Sequence, residues 1–152
     1  MNGEQRWRWQ FMGFESEADG RVVQVWFNGL PEEAKEEITD LFQALQVVTQ
    51  SRWRRPEFDL LVGAGGISEL RPADVRCEAG CLTYRVYGFF GPNKHEYTLL
   101  HGTLKPVRND HHGKRTAKER LARIQRREAT THEFNFEGEP LPKVAEGAGD
   151  AG

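Results

Sequence analysis

The sequence predicts an α+β domain in which an antiparallel β-sheet meander packs against two N-terminal helices, with a basic helix near the C-terminus. Three observations point there. Strand signals at 67–71, 82–89 and 96–105 follow one another with connections too short for helical crossovers, so neighbours should run antiparallel. Between 34 and 48, Ala34, Ile38, Leu41, Phe42, Leu45 and Val48 recur at spacings of three and four, the stripe of a helix lying on a sheet. The stretch from Lys105 to Arg127 holds nine basic residues against Asp110 and Glu119, +7 within a 152-residue chain of net charge -2.

Taken in order, residues 6–14 alternate aromatic and polar residues (Arg6-Trp7-Arg8-Trp9-Gln10-Phe11), which reads as a half-buried strand. Asp19-Gly20 is a turn, and 22–30 forms a short helix on Val22, Val25, Trp26 and Leu30. Pro31 suits the first turn of the next helix, where Glu32, Glu33, Glu36 and Glu37 sit at the end of the dipole that favours carboxylates. Residues 52–56 form a basic loop, after which Phe58-Asp59-Leu60-Leu61 returns to apolar character. The glycines at 63, 65 and 66 make a flexible turn, without the Gly-Lys-Ser/Thr that a phosphate loop needs. A basic helix is expected over 116–128, with Ala117, Leu121 and Ile124 on one face.

Residues 1–133 are therefore expected to form one domain, with 1–20 as an N-terminal strand extension and 134–152 as a disordered Gly/Pro/acidic tail. Hydrophobic content of 38 % against 29 % charged residues marks a globular chain, and no apolar run is long enough to span a membrane. Cys77 and Cys81 are too few for a disulfide framework and read as two reduced thiols at a turn. With no second cysteine pair and no spaced histidines, zinc is a poor fit. The expected location is cytoplasmic, with neither metal nor small-molecule cofactor.

The chemistry concentrates on the meander. Arg71 and Arg85 lie on adjacent strands and Lys105 ends the next, the kind of cationic cluster that offsets charge growing on a phosphodiester. If Leu70, Tyr84 and Val86 face the core, alternation puts Glu69, Arg71, Arg85 and Tyr87 together on one exposed face. On an exposed face Tyr87 would be free to stack on a base; otherwise it is an ordinary sheet tyrosine. Glu69, His101, His111 or His112 are candidates for proton transfer, while Glu69 has the simpler reading of a cross-strand ion pair with Arg71 or Arg85. Arg54, Arg55, Arg108, Lys114, Arg115 and Lys118 form the candidate RNA-binding set, with Trp53 either an aromatic platform or core.

Read together, Glu69-Leu70-Arg71, Tyr84-Arg85-Val86-Tyr87, Leu99-Leu100-His101-Gly102, Lys105 and the basic segment 116–124 resemble the RelE/ParE superfamily of bacterial toxins, in particular its HigB-type, phage-derived branch. The resemblance covers about 21–127. It implies a RelE-like fold and the toxin of a type II toxin–antitoxin system: a metal-independent mRNA endonuclease that inhibits translation in the ribosomal A site. It further implies a cognate antitoxin, often a helix-turn-helix protein, with the ribosome and mRNA as the other partners. On this likeness Arg71, Arg85, Lys105, Tyr87 and His101 carry catalysis. Pro106 replaces the family's second lysine, and Thr103 its aromatic residue after His-Gly. Both favour the alternative of a non-catalytic RNA- or protein-binding module on the same fold; a ParE-like gyrase inhibitor is the third reading.

Overall fold

The computed structural model describes residues 8–105 and 110–137. Their order is β1 (Gln10–Glu15), α1 (Val22–Asn28), α2 (Glu32–Gln46), β2 (Phe58–Leu60), β3 (Ser68–Leu70), β4 (Tyr84–Phe90), β5 (Glu96–Leu104), α3 (His111–Gln125) and β6 (Thr130–Glu133), with single 3-10 turns at Gln50–Arg52 and Cys77–Ala79. The fold is mixed α/β: three α-helices and a six-stranded sheet of order β2-β3-β4-β5-β1-β6 among the described residues. None of these helices is long and apolar enough to cross a membrane.

The expected meander is present, since β3 pairs antiparallel with β4 and β4 with β5. The sheet as a whole is not antiparallel, however. β1 runs parallel to β5, in register from Gln10↔Glu96 to Gly13↔Leu99. The chain between them, two helices and three strands, supplies the long connection that parallel neighbours need.

The N-terminal strand is therefore no extension. It is an inner strand with four consecutive buried residues, Phe11 to Phe14. Phe11 packs on Phe42 of α2 with ring centroids 4.7 Å apart, whereas Phe14 lies beneath the Arg120 and Arg123 guanidinium groups of α3. Helices thus cover both faces: α1 and α2 one, α3 the other. The aromatic alternation of 6–14 identified the strand but hid its second cover, because an arginine over an aromatic ring leaves no apolar signature in the helix.

α1 buries Val23, Gln24 and Phe27, and its Trp26 lies over Gly102 of β5. A Cβ at Gly102 would overlap the Trp26 ring, so this glycine sets how closely α1 approaches the sheet. Gly102→Val is expected to destabilise the fold by about 1–3 kcal/mol, the usual cost of overpacking, read as a lower denaturant midpoint. An unchanged midpoint would mean that Trp26 moves aside freely.

α2 follows the expected stripe, burying Ala34, Ile38, Phe42 and Leu45, with Pro31 as the residue preceding its first turn. Trp53 is core rather than platform: it is buried, and its indole N–H donates to Leu45 O at 3.1 Å.

α3 begins at His111, five residues before the expected start, because Asp110 caps it by accepting from Gly113 N at 2.9 Å. Ala117, Leu121 and Ile124 are buried as expected. β6 was not anticipated; it pairs antiparallel with β1.

Order also continues past residue 133. Phe134 is buried and Phe136 packs on Phe11, Phe27 and Phe42, while Gln24 clasps Asn135, donating to its O and accepting from its N. The start expected for the disordered tail is thus corrected, and residues 138–152 lie outside the described residues. The two cysteines are likewise not free thiols. The turn at Cys77–Ala79 brings Cys77 and Cys81 together in a disulfide.

Candidate functional site

Strand register builds the site. Asp59, Glu69, Tyr87 and His101 form one row across β2, β3, β4 and β5, and the next row places Arg85 opposite Thr103. Alternation puts Leu70, Val86 and Gly102 on the opposite face, under α1 and α2. The expected sharing of a face by Glu69, Arg71, Arg85 and Tyr87 therefore holds.

That face is not open along its length, and this corrects the role given to Tyr87. The residue is fully buried, its hydroxyl donates to Asp110 Oδ2 at 3.1 Å, and its ring stacks on His101 at 6.3 Å. It has no surface to offer a base. Burial, then the charges of Glu69 and Asp110, push its phenol far above the usual range, so it stays protonated and acts as a fixed donor to the helix cap.

Around Glu69 the expected cations do converge. Its carboxylate is 4 % exposed and meets Arg71 Nη2 at 3.2 Å, Arg85 Nε at 3.1 Å and Lys105 Nζ at 3.9 Å. Arg71 Nη2 also donates to Asp59 Oδ2 at 3.0 Å, and Asp59 receives the Arg55 guanidinium through both oxygens. Four cations thus face two carboxylates, leaving an excess of two positive charges.

The cluster is also short of hydrogen bonds. Among the described residues only Arg71 donates one to Glu69. The Arg85–Glu69 contact is close but badly directed: both Arg85 Nε and Glu69 Oε2 lack a hydrogen-bond partner. Lys105 at 3.9 Å is beyond hydrogen-bonding range. Arg85 is held instead by Nη1 donating to Tyr84 O at 2.8 Å, and Lys105 by its backbone N donating to Thr83 O at 2.7 Å. Arg85 Nε and Glu69 Oε2 are both buried against each other, so what the cluster offers an external anion is its excess of positive charge on Arg71, Arg85 and Lys105.

His101 lies one row from Arg85. Burial, then the charge of Arg120, pushes its imidazole down to about 4 from an ordinary 6.5. Arg120 Nη1 approaches His101 Nδ1 at 3.4 Å and donates to Leu100 O at 2.8 Å. The ring is neutral at neutral pH, a weaker base than an ordinary histidine and with no imidazolium proton to give as an acid. Because folding disfavours its charged form, its contribution to stability is complete above 6.5 and declines as pH falls toward 4. Denaturant midpoints should therefore fall as pH drops from 6.5 to about 4. His101→Asn should flatten part of that fall, and the rest belongs to His132, also lowered by burial. An unaltered slope in the variant would contradict this assignment.

The candidate RNA-binding set divides. Arg54 and Arg55 are exposed on the loop before β2, beside Asp59, whereas Lys114, Arg115 and Lys118 line a separate groove against the β2–β3 connection. Arg108 lies outside the described residues. His111 and His112 are exposed at the start of α3. Among the described residues no group of three His, Cys, Asp or Glu side chains is placed to hold a metal ion.

Asp59, Asp110 and Arg120 are the site residues that sequence reasoning passed over. Asp59 had a usable signal in the alternation of Phe58-Asp59-Leu60, and Asp110 another as a capping residue before a basic helical run. Arg120 had none, since nothing in sequence separates it from its neighbouring arginines.

Comparison of the chain with protein-family models and with curated proteins returns no match.

Proposed function

We propose that this chain is a RelE/HigB-like toxin, a ribosome-dependent endonuclease that cleaves mRNA without a metal ion and is neutralised by a cognate antitoxin. The observation that carries the reading is the cluster of Arg71, Arg85 and Lys105 around a single buried carboxylate, with an excess of positive charge. In the reaction the ribose 2′-oxygen attacks phosphorus and the bond to the 5′-oxygen breaks, leaving a cyclic phosphate and a 5′-hydroxyl. Arg85 and Lys105 would meet the charge that grows on the nonbridging oxygens, with Arg71 completing the clamp. His101, a base weakened by burial, would take the 2′-hydroxyl proton, and solvent water returns a proton to the leaving oxygen.

A ribosomal target places this activity in the cytoplasm.

The burial of Tyr87 and the absence of a proton-bearing histidine beside the cluster favour one second reading, an RNA-binding module that does not cleave. Inducible expression with mapping of mRNA 5′ ends separates the two. Growth arrest with new ends inside translated codons is the expected result. Normal growth with intact mRNA would overturn the toxin reading, and retained RNA binding without cleavage would leave the binding module.

A further inference from the structure

Beyond the anion cluster, α3 carries a second cationic surface with a different character. A groove of ≈ 600 Å³ runs between residues 61–64 of the β2–β3 connection and the α3 face bearing His111, Lys114, Arg115 and Lys118. It is separate from the first site. The β2–β3 connection leaves the sheet at the Leu60/Ser68 end, whereas Arg71 follows the other end of β3, and neither Glu69, Arg71, Arg85 nor Lys105 lines the groove.

The helix divides its cations sharply. Arg120 is spent on Leu100 O, Arg123 on Asp19 and Arg126 on Glu128. Among the described residues Lys114, Arg115 and Lys118 have no ion pair, and the groove contains only Glu119 in return. The facing wall is aliphatic: Leu61 is half-buried, and the Val62 side chain stands fully in solvent at 102 % relative exposure. Leu61 and Val62 thus give the groove an aliphatic wall opposite its cations.

These features select the occupant. Single-stranded nucleic acid draws its sequence-tolerant affinity from aromatic platforms, and no Phe, Tyr or Trp lines this groove, His111 at its edge being the one ring there among the described residues. Carboxylates would pair with Lys114, Arg115 and Lys118, while an aliphatic side chain covers Val62 and Leu61. We propose that the groove docks a peptide segment of a partner protein that carries carboxylates beside one or two aliphatic side chains. This goes beyond the endonuclease reading and does not depend on it.

The test selects peptides from a displayed random dodecapeptide library on the intact protein, then measures their binding by fluorescence anisotropy. Val62→Asp and the double variant Lys114→Glu/Lys118→Glu are compared with the parent; all three sites are solvent-accessible, and thermal unfolding verifies the fold. The expected result is enrichment of peptides combining Asp or Glu with Leu, Ile or Val, and a loss of about tenfold or more in affinity with each variant. No enrichment, peptides without carboxylates, or affinities unchanged in either variant would overturn the proposal. So would loss of dodecauridylate binding in the double variant with peptide binding intact, which would make the groove an RNA path. Because all readouts are binding to isolated protein, failure here leaves the mRNA-cleavage result unaffected.

Discussion

Arg85→Ala is expected to lower mRNA cleavage by about 100- to 1,000-fold, the usual effect of deleting one preorganised donor at a developing charge. The reason is positional. Arg85 is held by Tyr84 O through Nη1 and keeps an Nε donor without a hydrogen-bond partner, at the edge of a carboxylate already approached by two other cations. The loss should fall on kcat more than on KM, since Arg54, Arg55 and the rest of the surface still recruit RNA. Arg85→Lys keeps the charge but not the planar fork and should recover only part of the rate. Folding should survive both changes, because Glu69 retains its hydrogen bond from Arg71. Near-parental cleavage by Arg85→Ala, measured in a translating extract, would remove this residue from the chemistry.

Glu69→Gln should produce the largest effect on stability. The substitution keeps the shape of a side chain that is only 4 % exposed, but removes the one charge that Arg71, Arg85 and Lys105 share. Breaking a buried ion pair from one side costs about 3–5 kcal/mol; the partial exposure of Arg71, 31 %, and Lys105, 19 %, puts this case near the lower end. The informative comparison is between buffers. Phosphate should stabilise the Gln variant more than the parent, because an external anion can then take the place of the carboxylate. No stabilisation of the Gln variant by phosphate would show that the cluster does not accept anions.

Much of this site was legible before the fold. Period-two alternation alone placed Glu69, Arg71 and Arg85 on one face, because side chains alternate strictly along a strand. What alternation cannot supply is the cover. Tyr87 looked exposed because nothing in its own strand announces that Asp110, capping a helix that begins five residues early, reaches down to its hydroxyl. The same limit applies to β1. Its pattern marked a strand, but its parallel pairing with β5 depends on the whole intervening chain. Phe134 and Phe136 were lost for a compositional reason: a segment rich in glycine, proline and acids follows them, and two aromatics at its head were averaged into it.

The central claim is that Arg85 and Lys105 present their positive charge to an RNA phosphate. Titration of the 15N-labelled protein with a short single-stranded RNA, following the Arg85 Nε–H resonance, tests it most directly. The account predicts a saturable shift of that resonance at RNA concentrations that also perturb Lys105, weakened by added salt. An Arg85 Nε–H resonance that stays in place while RNA binds elsewhere on the protein would contradict it.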